Sequence, residues 1–380
     1  MVRAALQRRY ENARWRVQRA RVDRGSPPYF AGGSQPRRAL FVTHAHAISS
    51  SQIYPHFYYR EAIARRYGVQ IAEINLEAFE ALPASKVPQM DIVCLQTWFD
   101  IDAARLQRLF DRVRELCRPA TVAYIDCFAP TDLRLAETIG DMADVYVKKH
   151  VFRDRSDYGK ATYGDTSLMD YYCRRYGIDC AEILFPIPDG FLDRLHVGPS
   201  FATADYLMPY FCSGRMQSTR KTIDVHARLG RKGTDWYEAM RNESLRALDG
   251  LREFNIAKDF GVRRRQYLRE LAASKICYSP FGYGEVAWRD YEAVAYGSLL
   301  LKPDMSHVET DPDVFVPGET YVPVKWDFSD VEEKTRYYLE NRAEREAIVE
   351  RAFAKLHEYF RSERFVEQHS PVFADRLAQP

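Results

Sequence analysis

Apolar segments of strand length alternate with helix-forming segments from Arg38 onward, and this alternation constrains the fold more than any other feature of the chain. The first half contains five such apolar segments: RALFVTHA, VQIAEINL, DIVCLQTWF, TVAYIDCFA and ADVYVKK. Helical stretches such as YREAIARRYG and AARLQRLFDRVRELC separate them. Strands interleaved with helices form parallel sheets with right-handed crossovers. The sequence therefore predicts an α/β fold.

The turn after the first strand lacks the GxGxxG pattern of dinucleotide-binding Rossmann domains. THAHAISSS occupies this turn instead. We expect a Rossmann-like first domain, but a dinucleotide-dependent dehydrogenase is disfavoured.

A chain of 380 residues is longer than one hydrophobic core usually serves, so two domains are expected. The second alternating unit is predicted to begin with a strand at MPYFCSGR. Further helices are predicted around 236–251 and 264–273, and a long charged helix from 329 to about 360 would cross back onto the first domain. The predicted organisation is a basic extension (1–38), an N-terminal Rossmann-like domain (39–195), a C-terminal Rossmann-like domain (205–360) and a tail (361–380).

The N-terminal extension is rich in arginine, at positions 8, 9, 14, 16, 19, 21 and 24, and a loop-forming spacer, GSPPYFAGGSQP, follows it. An arginine-rich helix with Tyr10, Trp15 and Val17 is compatible with an anionic membrane surface. The alternative is a helix that packs on the domain or a partly disordered tail, and the thin apolar stripe favours this alternative.

Composition excludes several classes of protein. Hydrophobic residues make up 46% of the chain and charged residues 28%, which is typical of a folded soluble protein, and the net charge of +2 does not call for nucleic acid as a partner. The seven cysteines form no C-x-x-C pair and are predicted to be reduced core thiols. No segment has the length of a transmembrane helix or the apolar core of a signal peptide, so we expect a cytoplasmic protein.

The most specific functional signal lies in residues 274–304, SKICYSPFGYGEVAWRDYEAVAYGSLLLKPD. KICYSP and SLLLKP are predicted to be buried strands, and a helix is predicted from Glu285 through Tyr296, ended by Gly297. FGYG lies at the carboxyl end of the first strand, where a helix N-terminus favours phosphate and a carboxylate one turn further on can bind a ribose. The segment therefore predicts a nucleotide pocket.

The EAVAYG sequence at 292–297, followed by an apolar strand, resembles the donor-site signature of GT-B glycosyltransferases, and the run to Pro323 is similar to the "glycosyl transferases group 1" branch. The resemblance implies two Rossmann-like domains that face a cleft, with Glu292 binding the ribose of a nucleotide sugar. It also implies a donor loop made of Phe281, Gly282, Tyr283 and Gly284.

The sequence departs from the family pattern at the second glutamate. Many retaining members have a glutamate eight positions before the ribose ligand, where this chain has Gly284. Glu285 lies seven positions before Glu292, about two helical turns away, and is the candidate for a shifted pair. Retention or inversion is therefore left open. The simpler alternative is that Glu285 and Arg289 form ordinary i,i+4 helix pairing.

Three arginines are candidates for the donor pocket, two of them for the diphosphate. Arg215 and Arg220 follow the predicted strand MPYFC, and family members often place a basic pair five residues apart after an equivalent strand. Guanidinium groups bind phosphate oxygens in a bidentate manner and stay charged. Arg289 lies one turn before Glu292 and is a further candidate. The alternatives are surface arginines for the first two and a salt bridge for Arg289.

The acceptor side should supply any general base. Asp126, after the strand TVAYI, and the histidines His44 and His46, after the first strand, lie at strand ends where such a group is needed. Asp126 is equally compatible with a capping role, and His44 with a core histidine. Asp126 and His44 remain candidate catalytic residues.

The predicted function is glycosyl transfer from a nucleotide sugar, UDP- or GDP-linked, to a hydroxyl of a saccharide, a lipid-linked saccharide or a small molecule. DPD at 311–313 is predicted to be a turn, so neither a metal nor another cofactor is expected. No nucleic-acid partner is expected, while residues 1–24 remain a candidate contact with the inner membrane face. The alternatives are a sugar-nucleotide epimerase or phosphorylase on the same fold, and a non-catalytic saccharide-binding protein.

Overall fold

Helices and strands alternate along the chain. A computed structural model describes residues 2–30 and 37–374, without the side chains of residues 2–9, 11 and 12. The strands are β1 (Arg37–Thr43), β2 (Val69–Asn75), β3 (Ile92–Leu95), β4 (Thr121–Asp126), β5 (Val145–Lys148), β6 (His150–Phe152), β7 (Thr162–Tyr163), β8 (Glu182–Ile183), β9 (Leu195–Val197), β10 (Ile223–His226), β11 (Ile256–Ala257), β12 (Ser274–Tyr278), β13 (Leu299–Pro303), β14 (Val308–Thr310) and β15 (Val322–Val324). The helices are α1 (Val2–Asp23), α2 (Ala47–Tyr58), α3 (Arg60–Tyr67), α4 (Leu76–Ala81), α5 (Ala103–Arg112), α6 (Ala136–Ile139), α7 (Ser167–Tyr176), α8 (Met208–Cys212), α9 (Asp235–Arg246), α10 (Arg264–Ala272), α11 (Trp288–Ala295), α12 (Val331–Glu340), α13 (Arg342–Arg361), α14 (Arg364–Gln368) and α15 (Ser370–Phe373).

Two parallel sheets organise the molecule. The N-terminal sheet has the order β2-β1-β3-β4-β5-β9, and the C-terminal sheet has the order β11-β10-β12-β13-β15, with every neighbouring pair parallel. Their strands are buried almost throughout, because helices cover both faces of a parallel sheet. The predicted α/β fold with two parallel units is thus confirmed. In both sheets the chain order reverses beside the first strand, β1 or β10, and ligands usually bind outside the carboxyl ends at such a reversal.

The start of the second unit differs from the prediction. MPYFC is not a strand but the short helix α8, with Pro209 in its first turn, where the missing N–H of proline costs nothing. A short apolar run is ambiguous between strand and helix when periodicity is the only guide. The first strand of the second sheet is instead β10, at Ile223–His226.

Two helix boundaries also differ from the prediction. The helix expected from Glu285 begins only at Trp288, where the Asp290 carboxylate accepts a hydrogen bond of 2.8 Å from the backbone N–H of Ala287. Glu285 therefore lies in the preceding loop and does not share a helix face with Glu292. The long final helix is divided into α12 and α13 at Asn341.

The two halves meet along an extensive junction. Strand β6 pairs with β14 in an antiparallel ladder, although each belongs to a different half of the chain. The C-terminal helices return to the N-terminal sheet, as the sequence suggests: Phe365 stacks on Tyr59 at 5.3 Å, and Arg37 donates a hydrogen bond of 2.8 Å to the carbonyl of Phe373. The exact domain boundaries stay a prediction, and residues 31–36 of the predicted spacer and 375–380 of the predicted tail lie outside the described residues.

Helix α1 packs on the N-terminal half. Trp15 is buried against Tyr54 and Phe57, and Arg19 forms a 2.5 Å ion pair with the buried carboxylate of Glu73. This is the packed-helix alternative considered for the arginine-rich extension. Among the helices that the structure describes, none has the length and apolar character required to span a bilayer.

Candidate functional site

A cleft of about 1210 Å³ lies between the two halves, at the carboxyl ends of both sheets. One wall consists of α1, the 45–51 segment after β1, and residues 204–206. The other wall consists of Arg228 after β10, the 260–267 segment and the start of α11. The cleft therefore occupies the place where the reversal of strand order predicts a ligand site in each sheet.

Glu292 lies in this cleft, on α11. Its Oε1 accepts a hydrogen bond of 2.9 Å from the Tyr206 hydroxyl, and its Oε2 accepts one of 2.9 Å from the Tyr267 hydroxyl. An Arg264 Nη2 lies 3.8 Å from Oε1. An ionised carboxylate offers about four lone-pair positions, so each oxygen still has room for a further donor. The two tyrosines therefore hold the carboxylate in a fixed orientation, and each oxygen can still accept a further hydrogen bond from a ligand in the cleft.

The wall formed by the C-terminal half also carries three arginines, Arg228, Arg264 and Arg289. The Arg264 guanidinium lies over the Tyr206 ring at 4.1 Å. The second, Arg289, donates hydrogen bonds to the Tyr267 hydroxyl at 3.3 Å and to the carbonyl of Arg228. Arg228 itself makes two hydrogen bonds to Glu270, at 2.9 and 3.0 Å. Because Glu270 balances only Arg228, the wall presents more positive than negative charge to the cleft.

His226 ends β10 directly behind this wall. It is fully buried, packs edge-on against the Tyr267 ring at 4.8 Å, and neither ring nitrogen has a hydrogen-bond partner among the described residues. Burial, together with the charge of nearby Arg289, lowers the pKa of His226 to about 3. The imidazole is therefore neutral.

The predicted donor loop lies just before α11 rather than on the cleft wall. Tyr283 stacks on Tyr237 at 4.5 Å, and its hydroxyl accepts a hydrogen bond of 3.0 Å from the backbone N–H of Thr234. Phe281 is buried, with the Lys302 ammonium 5.1 Å from its ring centroid. The cleft-lining set begins in this region with Trp288 and Arg289 and includes none of the residues Phe281, Gly282, Tyr283 and Gly284.

Glu285 also lies away from the cleft. It is fully buried, and both carboxylate oxygens accept hydrogen bonds from the N-terminal half: Thr131 at 2.9 Å, Ser167 at 2.7 Å and His150 at 3.3 Å. The structure does not bring Glu285 and Glu292 together as a pair that faces one ligand.

The two arginines predicted for the diphosphate lie at the wrong end of the sheet. Arg215 and Arg220 precede β10, so they are at the amino edge, opposite the cleft, and both are exposed. Arg220 lines a separate cavity of about 680 Å³ with Lys221 and Arg345. The misassigned strand at MPYFC caused this error. The sequence HARLGRK, which begins with the last residue of β10, contains the signal for Arg228. Tyr206, Arg264 and Tyr267 come from segments without a recognisable motif.

Asp126 lies in a buried network of hydrogen bonds. Its carboxylate is buried and accepts hydrogen bonds from Lys148 Nζ at 2.7 Å, the Tyr146 hydroxyl at 2.8 Å and the backbone N–H of Phe128 at 2.8 Å. Burial alone would raise the pKa of this carboxyl, but the Lys148 ammonium and the other donors outweigh burial and hold the pKa below its ordinary value. A buried carboxylate with this set of donors is a poor proton acceptor.

His44 and His46 lie in different environments although only one residue separates them. His44 packs against the Trp98 ring at 5.1 Å and is not among the residues that line the cleft; burial lowers its pKa. His46 does line the cleft. The backbone N–H of Ile48 donates to His46 Nδ1 at 3.2 Å, which in the neutral ring leaves the proton on Nε2.

The cleft lies between two parallel α/β units, and its C-terminal wall carries an acid and several arginines. Residues 220–369, which include Glu292 and most of that wall, match the model of a family described as glycosyl transferase-like. The resemblance to glycosyltransferases that the sequence predicts is confirmed over these residues. No curated protein matches the chain.

Solved structures with a similar fold are distant in sequence. An alpha-glucosyltransferase in complex with UDP-glucose and DNA containing an abasic site has 9% identity and a TM-score of 0.49, over 87% of this chain and 99% of that one. HepE of Anabaena, in complex with UDP-glucose, has 9% identity and a TM-score of 0.44, over 87% and 98%. TarM has 9% identity and a TM-score of 0.41, over 75% and 55%.

Among the described residues, no group of three or more His, Cys, Asp or Glu side chains converges in a way that could hold a metal ion. The expectation that transfer is independent of metal stays a prediction.

Proposed function

We propose that the protein transfers a sugar from a nucleotide-sugar donor to a hydroxyl acceptor bound in the interlobe cleft. One observation carries the proposal: Glu292, on the arginine-rich wall of a cleft that is large enough for both substrates, is held by one tyrosine hydroxyl from each wall, Tyr206 and Tyr267. Pockets for drug-sized ligands usually measure about 300–1,000 Å³.

Glu292 would bind the ribose hydroxyls through its remaining acceptor positions. Arg289 and Arg264 line the cleft together with the Glu292 carboxylate, and we propose that they bind the diphosphate. Arg215 and Arg220 lie at the opposite edge of the C-terminal sheet and are not placed for this role. A departing nucleoside diphosphate accumulates negative charge, and fixed guanidinium groups stabilise that charge without reorganisation. The first turn of α11, which begins at Trp288, adds the positive end of a helix dipole.

The acceptor would bind against the opposite wall, formed by α1 and residues 45–51. His46 replaces His44 as the histidine in position to contact a reacting hydroxyl, because only His46 lines the cleft. Its Nε2–H would donate a hydrogen bond to the acceptor or the donor sugar in the neutral state. The acceptor is proposed to be a saccharide, a lipid-linked saccharide or a small molecule, and not nucleic acid.

Calorimetric titration with UDP, GDP, ADP and CMP tests the donor site. We expect UDP or GDP to bind, and Glu292→Gln to weaken that binding by about 1–3 kcal/mol, the effect of losing a hydrogen bond to a charged group. Glu253→Gln is the matched control, because Glu253 is half-exposed and pairs with Arg336 far from the cleft. Absence of binding by all four nucleotides, or equal affinity in Glu292→Gln and wild type, would contradict the proposal.

Turnover separates the transferase from its alternatives. A transferase consumes UDP- or GDP-sugar faster when an acceptor is present, whereas an epimerase converts the donor without one and a binding protein consumes none. Acceptor mixtures should include saccharides, lipid-linked saccharides and a DNA duplex, so that glucosylation of DNA would refute the expectation that nucleic acid is not a partner.

We propose in addition that the outer face of α1 contacts an anionic membrane surface. Arg16, Val17 and Arg21 of α1 are exposed, and so is Tyr29 after the end of the helix. Each basic residue near an anionic bilayer contributes about 1 kcal/mol. Co-sedimentation with phosphatidylglycerol vesicles, but not phosphatidylcholine vesicles, is expected and should be lost in Arg16→Gln/Arg21→Gln and retained in the control Arg351→Gln. Equal sedimentation of both variants would contradict this proposal.

A further inference from the structure

Glu285 is the most completely enclosed acid at the junction of the two halves. Its carboxylate accepts three hydrogen bonds, from the Thr131 hydroxyl at 2.9 Å, the Ser167 hydroxyl at 2.7 Å and His150 Nε2 at 3.3 Å. We call these four residues the Glu285 cluster. Glu285 comes from the loop before α11, while its three partners come from the N-terminal half.

The charge in the cluster is fixed on Glu285. Burial on its own would raise the pKa of this carboxyl, but the hydrogen bonds from His150 and Ser167 outweigh burial and hold the pKa below its ordinary value. Burial lowers the pKa of His150, so the imidazole is neutral and donates through Nε2. A buried carboxylate that accepts three hydrogen bonds is well stabilised in the folded protein. Removal of its donors would leave the carboxylate with a large desolvation penalty.

The backbone around the cluster is equally close-fitting. A Cβ added at Gly284 would lie 2.2 Å from the carbonyl oxygen of Ala129, so the loop touches the main chain of the N-terminal half. His150 also begins the β6–β14 ladder, where it is the partner of Thr310. The C-terminal end of the loop, at Gly284 and Glu285, is therefore held against the N-terminal half.

We propose that Glu285 is a positioning residue, which fastens the segment before α11 to the N-terminal half and thereby holds the first turn of α11, whose Trp288 and Arg289 line the cleft, in place for a nucleotide. The proposal rests on the proposed function only for the identity of the ligand. A wall segment that is ordered in advance does not lose conformational freedom on binding, so by holding the first turn of α11 the cluster would strengthen donor binding without touching the donor.

Hydrogen exchange measured by mass spectrometry on the ligand-free, full-length protein tests the positioning role. We expect peptides that cover 279–287 to exchange at least tenfold faster in Glu285→Gln and in Thr131→Val/Ser167→Ala than in wild type, with peptides from β1 and β13 unaltered. The double variant keeps Glu285 and its bond to His150, so it serves if Glu285→Gln does not fold.

Glu243→Gln is the matched control. Glu243 also joins the halves, through Arg175 at 2.6 Å, but this ion pair is partly exposed and is expected to contribute little. Unaltered exchange in both cluster variants, or acceleration spread evenly over the whole chain, would overturn the proposal.

Nucleotide affinity supplies the second measurement. UDP or GDP, whichever binds the wild type, should bind both cluster variants about tenfold more weakly and the control normally. Faster exchange of 279–287 with unaltered affinity would overturn the claim that the loop serves the donor. If neither nucleotide binds the wild type, the proposed function fails, and the exchange measurement still decides whether Glu285 fastens the loop.

Discussion

The carboxyl of Asp126 shows how the position of a residue and its role can diverge. It lies at the end of a parallel strand, where a catalytic acid is often found, yet its oxygens bind Lys148, Tyr146 and the main chain. Both Asp126 and Lys148 are buried. Their 2.7 Å ion pair is therefore enclosed by the protein.

We expect Asp126→Ala to lower the free energy of unfolding by about 3–5 kcal/mol, because it leaves the Lys148 ammonium buried and unpaired. Urea denaturation measures this loss. In the double variant Asp126→Ala/Lys148→Met, part of the stability should return, because the unpaired charge is gone. Wild-type stability combined with abolished turnover would instead indicate that Asp126 is the general base.

Asp311 presents the opposite electrostatic case. It is buried near the β6–β14 ladder, and the Tyr359 hydroxyl donates to its Oδ2 at 2.7 Å. Burial raises the pKa of this carboxyl to about 7. An aspartate in the unfolded chain has a pKa of about 3.9, so between these values the unfolded state releases a proton that the folded state retains.

Asp311 should therefore reduce stability as the pH rises from about 4 to about 7, by roughly 4 kcal/mol in total at about 1.36 kcal/mol per pKa unit. Asp311→Asn is expected to remove this loss, so that the variant gains stability over wild type at pH 8 and not at pH 4. Urea denaturation at the two pH values measures it. An equal difference at both would show that Asp311 does not titrate in this range.

The loop 281–284 shows that the surroundings of a residue, as well as its type, decide what a substitution costs. It contains two glycines, and only one of them is required by the space around it. A Cβ on Gly284 would collide with the Ala129 carbonyl, whereas a Cβ on Gly282 would lie 3.6 Å from its nearest neighbour, an ordinary contact.

Gly284→Ala should thus displace the loop and destabilise the protein by about 1–3 kcal/mol, the usual cost of overpacking, while Gly282→Ala should change stability by less than about 0.5 kcal/mol. Thermal denaturation of the two variants gives the comparison. Equal effects would mean that the loop can move away from Ala129 without cost.

How far the sequence predicts this molecule depends on the length of the pattern. The strands β1, β2 and β12 and the helix α10 carry clear periodicity, and the structure has them close to the predicted positions. The segment MPYFC carries too few residues to distinguish strand from helix, and that one error moved Arg215 and Arg220 to the wrong edge of the sheet. A local sequence pattern identifies a helix or a strand, but it does not show which other parts of the chain that helix or strand will contact.

The same limit applies to the candidate site. Glu292 is found from its motif and lies in the cleft, although its role in binding ribose stays a prediction. Tyr206 and Tyr267, which hold its carboxylate, are 86 and 25 residues away in sequence and carry no motif of their own. Their contribution arises only when α10 and the segment before α8 pack beside α11.

At the scale of the whole molecule, the junction between the two halves is built like a core. The C-terminal helices bury Phe365 and Phe373 on the N-terminal half, where they contact Phe41 of β1, His56 of α2 and Tyr59. Interfaces between domains that move freely are usually smaller and more polar.

This construction predicts that the two halves unfold together. In wild type, the urea transitions followed by tryptophan fluorescence and by far-ultraviolet circular dichroism should coincide, as in a two-state protein. Phe365→Ala/Phe373→Ala removes two buried rings, each worth about 3–5 kcal/mol, and should separate the transitions because the halves lose their shared core. Phe260→Ala is the control, since that ring is 77% exposed. Separate transitions already in the wild type would mean that each half is stable alone, and the junction would then be a docking surface between independent domains.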